Sequence, residues 1–200
     1  MVVITKGLRP DGTPCTFYMD STLANNFDAV IKRVKRGWDY CACTSGLPGV
    51  GKSNFSFNCA RYCCEWFDKS YVTFTAQEFI KVTSECSEYS SVVLDESFAT
   101  LNTRISNSKD FLQICNHLSI LRQKHLFIFL NIPNFFDLNK SIALWRCSHL
   151  FVVYANEEGY RGRFIAFDRP SKRELYVDGS KYIDYECVDG NFTGRFIKQK

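Results

Sequence analysis

The sequence predicts an α/β fold: a mostly parallel central sheet flanked by helices, with an N-terminal β-hairpin and an antiparallel β-rich C-terminal extension. Three observations carry this. Apolar runs of strand length alternate with segments whose apolar residues recur at helical spacing. A glycine-rich loop, residues 46–53, stands between one such strand and one such helix. Beyond residue 155, glycines at 159, 162, 179, 190 and 194 punctuate short aromatic stretches, a β texture.

Taken in order, Val2–Thr5 and Cys15–Met19 flank the turn-rich residues 9–14 and read as the hairpin. Asp20 or Ser21 caps a helix over 22–36, whose stripe Phe27, Val30, Ile31 and Val34 follows i, i+3, i+4, i+7. Its last turns carry Lys32, Arg33, Lys35 and Arg36, cations that the dipole of a helix C-terminus favours, and Gly37 ends it. Trp38–Thr44 reads as a strand leading into the loop. After the loop, Phe55, Cys59, Tyr62, Cys63 and Trp66 recur at helical spacing. Tyr71–Thr75 is a short strand, and Thr75 caps a helix that starts at Ala76, with Glu78 in its first turn. Ser91–Glu96 is an apolar strand ending in two carboxylates. A connector and a helix fill 97–125, with Phe111, Ile114, Leu118 and Leu121 on one face. Leu126–Leu130 is wholly apolar, hence a central strand, and it stops at Asn131 before Pro133 removes a ladder donor. Asp137–Arg146 reads as a short helix and His149–Tyr154 as a strand. In the extension, Arg163–Phe167 and Glu174–Val177 read as antiparallel strands.

Length and composition bound the answer. Two hundred residues suit one domain with a sizeable core. With 46% hydrophobic and 23% charged residues, the chain is globular rather than disordered. No apolar run is long enough to span a bilayer, and Met1–Lys6 has no signal-peptide shape. The expected location is therefore cytoplasmic, in the host cell for a viral chain, with no membrane partner. The ten cysteines are then reduced thiols packed as small apolar side chains. Cys41 with Cys43, and Cys63 with Cys64, lack the Cys-x-x-Cys spacing of a zinc site. The net charge of +4 permits a polyanionic partner without requiring one.

Two motifs carry chemistry. Gly46-Leu47-Pro48-Gly49-Val50-Gly51-Lys52-Ser53 matches the P-loop pattern. Its glycines let the backbone turn N–H groups inward around a phosphate, and the following helix adds the positive end of its dipole. The nucleotide-binding set is Gly46, Pro48, Gly49, Val50, Gly51, Lys52, Ser53 and Asn54. Lys52 supplies a compact charge for the β- and γ-phosphates, and the Ser53 hydroxyl is a Mg²⁺ ligand. The second motif is Asp95-Glu96 at the end of its apolar strand, the Walker B arrangement. Strand C-termini open beside the phosphate loop in such a sheet. Asp95 there holds Mg²⁺, and Glu96 orients and polarises the attacking water. Asn131, the polar amide ending the next strand, is placed to touch the γ-phosphate or that water.

The combination is that of a P-loop NTPase in which a glutamate beside Walker B activates water. By resemblance to that class, the strand ending at Asn131 inserts between the P-loop strand and the Walker B strand. A GTPase would need Asn-Lys-x-Asp, which Asn139-Lys140-Ser141-Ile142 breaks at its fourth position. A small-molecule kinase would want an arginine-rich lid, for which only Arg161-Gly162-Arg163 offers material, and an AAA+ machine would add a helical lid.

Within that class the chain resembles the HerA/FtsK-type ATPases, and among them the small viral and plasmid genome-packaging and zonular-occludens-toxin-like proteins. The resemblance covers about residues 38–155. It rests on the two motifs, on Arg104 in the loop after the second, on Leu121–His125 before an apolar strand, and on Leu130–Pro133 at that strand's end. The family usually has glutamine where this chain has Asn131. The resemblance implies ATP hydrolysis coupled to translocation of double-stranded DNA. It also implies a homo-oligomeric, hexameric ring, with a capsid or other protein as a further partner. Its arginine finger, donated in trans, would be Arg104 first and Arg122 second. The expected organisation is a single ATPase domain over 1–200: hairpin and helix 1–37, core 38–155, extension 156–200. The rival readings are a nucleotide or small-molecule kinase, an ATP-dependent loader or regulatory switch that does not move DNA, and a non-catalytic remnant of the fold.

Overall fold

The computed structural model describes residues 2–8, 12–95 and 109–197. Its centre is a seven-stranded sheet in the order β4-β5-β6-β3-β7-β8-β9. The strands are β3 (Tyr40–Ser45), β4 (Val72–Thr73), β5 (Ser91–Leu94), β6 (Phe127–Ile132), β7 (His149–Tyr154), β8 (Arg163–Phe167) and β9 (Phe192–Arg195). The pairs among β3 to β7 are parallel, and β8 and β9 add antiparallel strands at one edge. As the class resemblance implies, β6 lies between β3 and β5. A separate antiparallel hairpin, β1 (Val2–Leu8) with β2 (Pro14–Met19), precedes the sheet.

The central strands β3, β5, β6 and β7 bury both faces, and the period-two alternation sorts their side chains into two cores. On one face Ala42, Val93, Phe129 and Phe151 meet α1 (Ser21–Val34), α2 (Lys52–Cys63) and the hairpin. On the other, Cys43, Leu94, Leu130 and Leu150 meet α3 (Ala76–Glu85), α4 (Lys109–Ile120) and α5 (Arg169–Gly179). The buried thiols Cys41, Cys43 and Cys59 fill both layers as small apolar side chains; burial pushes the Cys43 and Cys59 thiol pKa values up, and the hydrogen bond with Cys147, then burial, does so for Cys41.

Helix starts follow local chemistry. Asp20 caps α1 by accepting from the backbone of Thr22 and Leu23. Thr75 and Glu78 form a reciprocal capping box on α3. Gly51, in the left-handed region at φ 108°, precedes α2, whose first turn has no side-chain cap.

Several elements differ from the sequence expectation, four of them in ways that bear on the site or the core. The helix after the loop ends at Cys63, so Trp66 lies beyond it and is exposed. β6 runs on through Asn131 to Ile132, because Asn131 and Ile132 continue the parallel ladder opposite Thr44 and Ser45. The 137–146 region holds a single π-turn, Ile142–Arg146, closed by Cys147 N–H donating to the Ile142 carbonyl at 2.9 Å. Glu174–Val177 is helix, not strand. Asp168 caps this segment by accepting from the Ser171 N–H, Pro170 stands in its first turn, and Lys172 and Leu175 bury one helical face.

Lys172 packs beneath the π-turn. Its side chain is fully buried, and its ammonium donates to the Ala143 carbonyl and, at 2.8 Å, to the Cys147 carbonyl. Those carbonyls lack regular helical partners, and the lysine satisfies them. Burial pushes the Lys172 pKa down.

Candidate nucleotide site

The site forms where the parallel strands end. Gly46 follows β3 at φ 143°, and a Cβ there would stand 2.1 Å from the Val153 carbonyl oxygen, so only glycine fits beside β7. Gly49 and Gly51 continue the loop at φ 81° and 108°. The Lys52 ammonium reaches back to donate to the carbonyls of Gly46 and Leu47 at 2.7 and 3.0 Å. Val50 is buried, while Pro48 and Ser53 are exposed and Asn54 is half-buried. The loop is braced from behind: the Ser45 hydroxyl and the Tyr185 hydroxyl lie 3.0 Å apart, and Tyr185 also accepts from Phe135 N–H at 2.7 Å. Burial raises the Tyr185 pKa to about 12, so the hydroxyl stays protonated.

A buried polar chain runs from the P-loop strand to the second motif. Thr44 and Ser56 hydroxyls lie 2.8 Å apart; Ser56 donates to the Asn131 amide oxygen at 2.5 Å; the Asn131 amide nitrogen donates to Asp95 Oδ1 at 3.0 Å. Thr44, Ser56 and Asn131 are fully buried, and Asp95 is 9% exposed. The Asp95 backbone is fixed as well, its N–H donating to the Thr73 carbonyl at 2.8 Å. One carboxylate is thus held at the end of β5, two strands from the loop that ends β3.

The other flank of the loop is walled by the C-terminal extension. A cleft of about 540 Å³ lies between residues 49–54 and a wall of Arg161, Gly162, Phe196 and Ile197. Phe196 anchors that wall, its ring 5.2 Å from that of Phe55 on α2. Its N–H donates to the Gly162 carbonyl at 2.8 Å. The Asn54 and Asn58 side-chain amides donate to the Ile197 carbonyl at 3.2 and 3.4 Å.

The structure therefore brings together Gly46, Pro48, Gly49, Val50, Gly51, Lys52, Ser53 and Asn54, with Asp95 and Asn131 on one flank. Glu96 and Arg104 lie outside the described residues. Arg122 is exposed and precedes β6, at the end of that strand away from Asn131. The residues that sequence reasoning missed are Thr44 and Ser56, which support Asn131, and the wall of Arg161, Phe196 and Ile197. A serine three positions after Ser53 on a helix otherwise packed with Phe55 and Cys59 was the available signal for the first group.

Sheet order and loop define a P-loop NTPase fold with β6 inserted between β3, which leads into the glycine-rich loop, and β5, which ends before Asp95. No protein-family model matches the chain, and no curated protein matches it in sequence. Among solved structures, it is similar to the N-terminal domain of zonular occludens toxin from Neisseria meningitidis. The two share 14% identity at a TM-score of 0.52, over 82% of this chain and 96% of that one. At that identity the likeness establishes the shared fold. The genome packaging NTPase B204 of Sulfolobus turreted icosahedral virus 2, solved with AMPPCP, matches at 11% identity and a TM-score of 0.46, over 67% of this chain and 94% of that one. Among the described residues, no helix is long and apolar enough to cross a membrane.

Proposed function

We propose that the chain is a Mg²⁺-dependent ATPase whose hydrolysis drives movement of double-stranded DNA through a homo-oligomeric ring, as in viral genome packaging. The observation that carries the hydrolytic part is the buried chain Thr44–Ser56–Asn131–Asp95, which fixes a carboxylate beside the phosphate loop. The DNA-translocating part rests on the motif resemblance.

The residues present fit a nucleotide and its metal. The first turn of α2 carries no side-chain cap and no acidic residue, which suits it to an anion. Ser53 and Asp95 offer the hard oxygen donors that Mg²⁺ prefers. When bound, the ion would neutralise charge developing on the β- and γ-oxygens. Backbone amides of 49–53 hold the phosphates, with Lys52 exchanging its loop carbonyls for phosphate oxygens. Asn131 acts as a positioning residue: its oxygen is engaged by Ser56, and its nitrogen aims Asp95. Glu96 orients the attacking water and accepts its proton. A neighbour's Arg104 stabilises the charge that develops. Residues 38–155 form the ATPase core, with the hairpin and helix of 1–37 and the extension of 156–200 in the same domain, working in the cytoplasm of the host cell and engaging a capsid or other protein.

The test is ATPase activity with and without double-stranded DNA, with oligomer mass measured in the same buffer. Lys52→Ala should lose nucleotide binding, and Glu96→Gln should bind ATP without turning it over. Normal hydrolysis by Glu96→Gln would sink the Walker B assignment. A monomer indifferent to DNA would remove the translocase.

A further inference from the structure

The polar chain to Asp95 lies on one side of the P-loop strand only. β6 and β5 stand on that side of β3, and β7, β8 and β9 stand on the other. A nucleoside triphosphate whose γ-phosphate points at Asp95 therefore runs the other way with its nucleoside half. There the cleft is walled by Arg161, Phe196 and Ile197. β8, which Arg161 leads into, is two strands from β3, about 10 Å at ordinary strand spacing. That is the distance over which a nucleotide passes from its phosphates to its base.

We propose that this wall is the nucleoside subsite, with the Arg161 guanidinium lying against the base, and that it accepts ATP and GTP alike. The proposal rests on the nucleotide-binding reading above and adds to it the residue that receives the base.

Four features support it. Arg161 is exposed at the cleft, and among the described residues no carboxylate lies within ion-pairing distance of it. The wall is built rather than incidental. Gly162 sits at φ 90° with space for no side chain, since a Cβ there would stand 2.4 Å from the Phe196 carbonyl oxygen. A Cβ on Gly51 would meet the Phe196 ring at 3.3 Å, so the wall packs directly on the phosphate loop. Among the described residues, the Asn54 and Asn58 side-chain amides donate to the Ile197 carbonyl and hold the wall in place instead of reading a base edge. Among the described residues, what remains for the base is apolar surface and a planar cation. A guanidinium stacks on any purine face, and stacking on a π-face discriminates little between bases.

The experiment measures binding of Mg·ATP, Mg·GTP and Mg·tripolyphosphate to the full chain, by calorimetry, for wild type, Arg161→Ala and Lys52→Ala. Arg161 is at the surface, so its variant keeps the fold. The wild type should bind ATP and GTP within about threefold of each other, as stacking without edge readout dictates. Arg161→Ala should weaken both by about tenfold, the worth of one cation–π contact in a partly desolvated cleft, and leave tripolyphosphate unchanged. Lys52→Ala should lose all three. If the wild type binds no nucleotide, the nucleotide reading itself fails. If it binds ATP and Arg161→Ala binds equally well, the subsite is wrong while that reading stands. An equal loss of tripolyphosphate affinity in Arg161→Ala makes Arg161 a phosphate ligand and overturns the assignment. So does a preference for ATP over GTP well beyond the threefold limit, which would need an edge reader elsewhere.

Discussion

Replacing Asn131 by Asp tests the polar chain with almost no change of shape. The substitution turns the amide nitrogen, now donating to Asp95 Oδ1 at 3.0 Å, into a second carboxylate oxygen. Two charges at that separation would repel by ~5–6 kcal/mol at an effective dielectric near 20. Protonating one of the two carboxyls is the cheaper escape. It restores an O–H donor toward Asp95, while the other oxygen keeps the bond from Ser56. Holding a carboxyl of ordinary pKa protonated costs ~4 kcal/mol at pH 7 and ~1.5 kcal/mol at pH 5. Asn131→Asp should therefore be less stable than the wild type by about 4 kcal/mol at pH 7, with the gap closing to about 1.5 kcal/mol at pH 5. The sign follows from proton counts: in this window the folded variant holds a proton that its unfolded chain has released, so its relative stability falls as pH rises. Urea unfolding of both proteins at the two pH values reads this directly. Asn131→Ala is the control. It loses the same bonds, at roughly 2–3 kcal/mol, without pH dependence. A gap for Asn131→Asp that is small at pH 7, or that stays constant between pH 5 and 7, refutes the donation from Asn131 to Asp95.

Two further outcomes are expected away from the site. Lys172→Met keeps the buried alkyl length but leaves the Ala143 and Cys147 carbonyls without their donor, and chemical denaturation should show a loss of about 2–4 kcal/mol. His149 is held neutral by burial, with its pKa lowered to about 4. Its unfolded form takes up a proton near pH 6.5, so stability should fall as pH drops from 7 to 4.5, by about 2–3 kcal/mol from this group. His149→Phe, set between Tyr40 and Phe151, should lose less stability than the wild type over that range.

Much of this architecture was legible because strong local signals agreed with one another. The loop glycines, the wholly apolar Leu126–Leu130 and the Thr75 cap each named an element that the structure contains. The inserted position of β6 followed only from the class resemblance, since strand order is a long-range pairing that no local pattern encodes. Glu174–Val177 misled because a four-residue run with an aromatic and a β-branched residue is too short to separate strand from helix. The deciding signals, Asp168 and Pro170, lie at the start of the segment. The sequence singles out Asn131, but not its hydrogen bonds to Ser56 and Asp95. The first of these depends on Ser56, a helix residue brought beneath it by packing across the sheet. Arg161 was noticed only as material for a lid. Its place beside the phosphate loop depends on the antiparallel return of β8 along β7, which carries the start of β8 to the end of the sheet where the parallel strands finish.

That return also explains why the extension is part of the site rather than an appendage. A parallel strand added after β7 would begin at the far end of the sheet, and its first residue could not face the loop. The antiparallel β8 begins where β7 finishes, so Arg161 and Gly162 arrive at the cleft directly. β9, antiparallel to β8, then finishes at the same end and delivers Phe196 onto Phe55. The two flanks of the loop are thereby built by different means. Parallel strands supply Asp95 and Asn131 from the ends of β5 and β6, whereas the antiparallel strands β8 and β9 supply the opposing wall. A change to β8 or β9 thus bears on the proposed nucleoside subsite without touching Asp95.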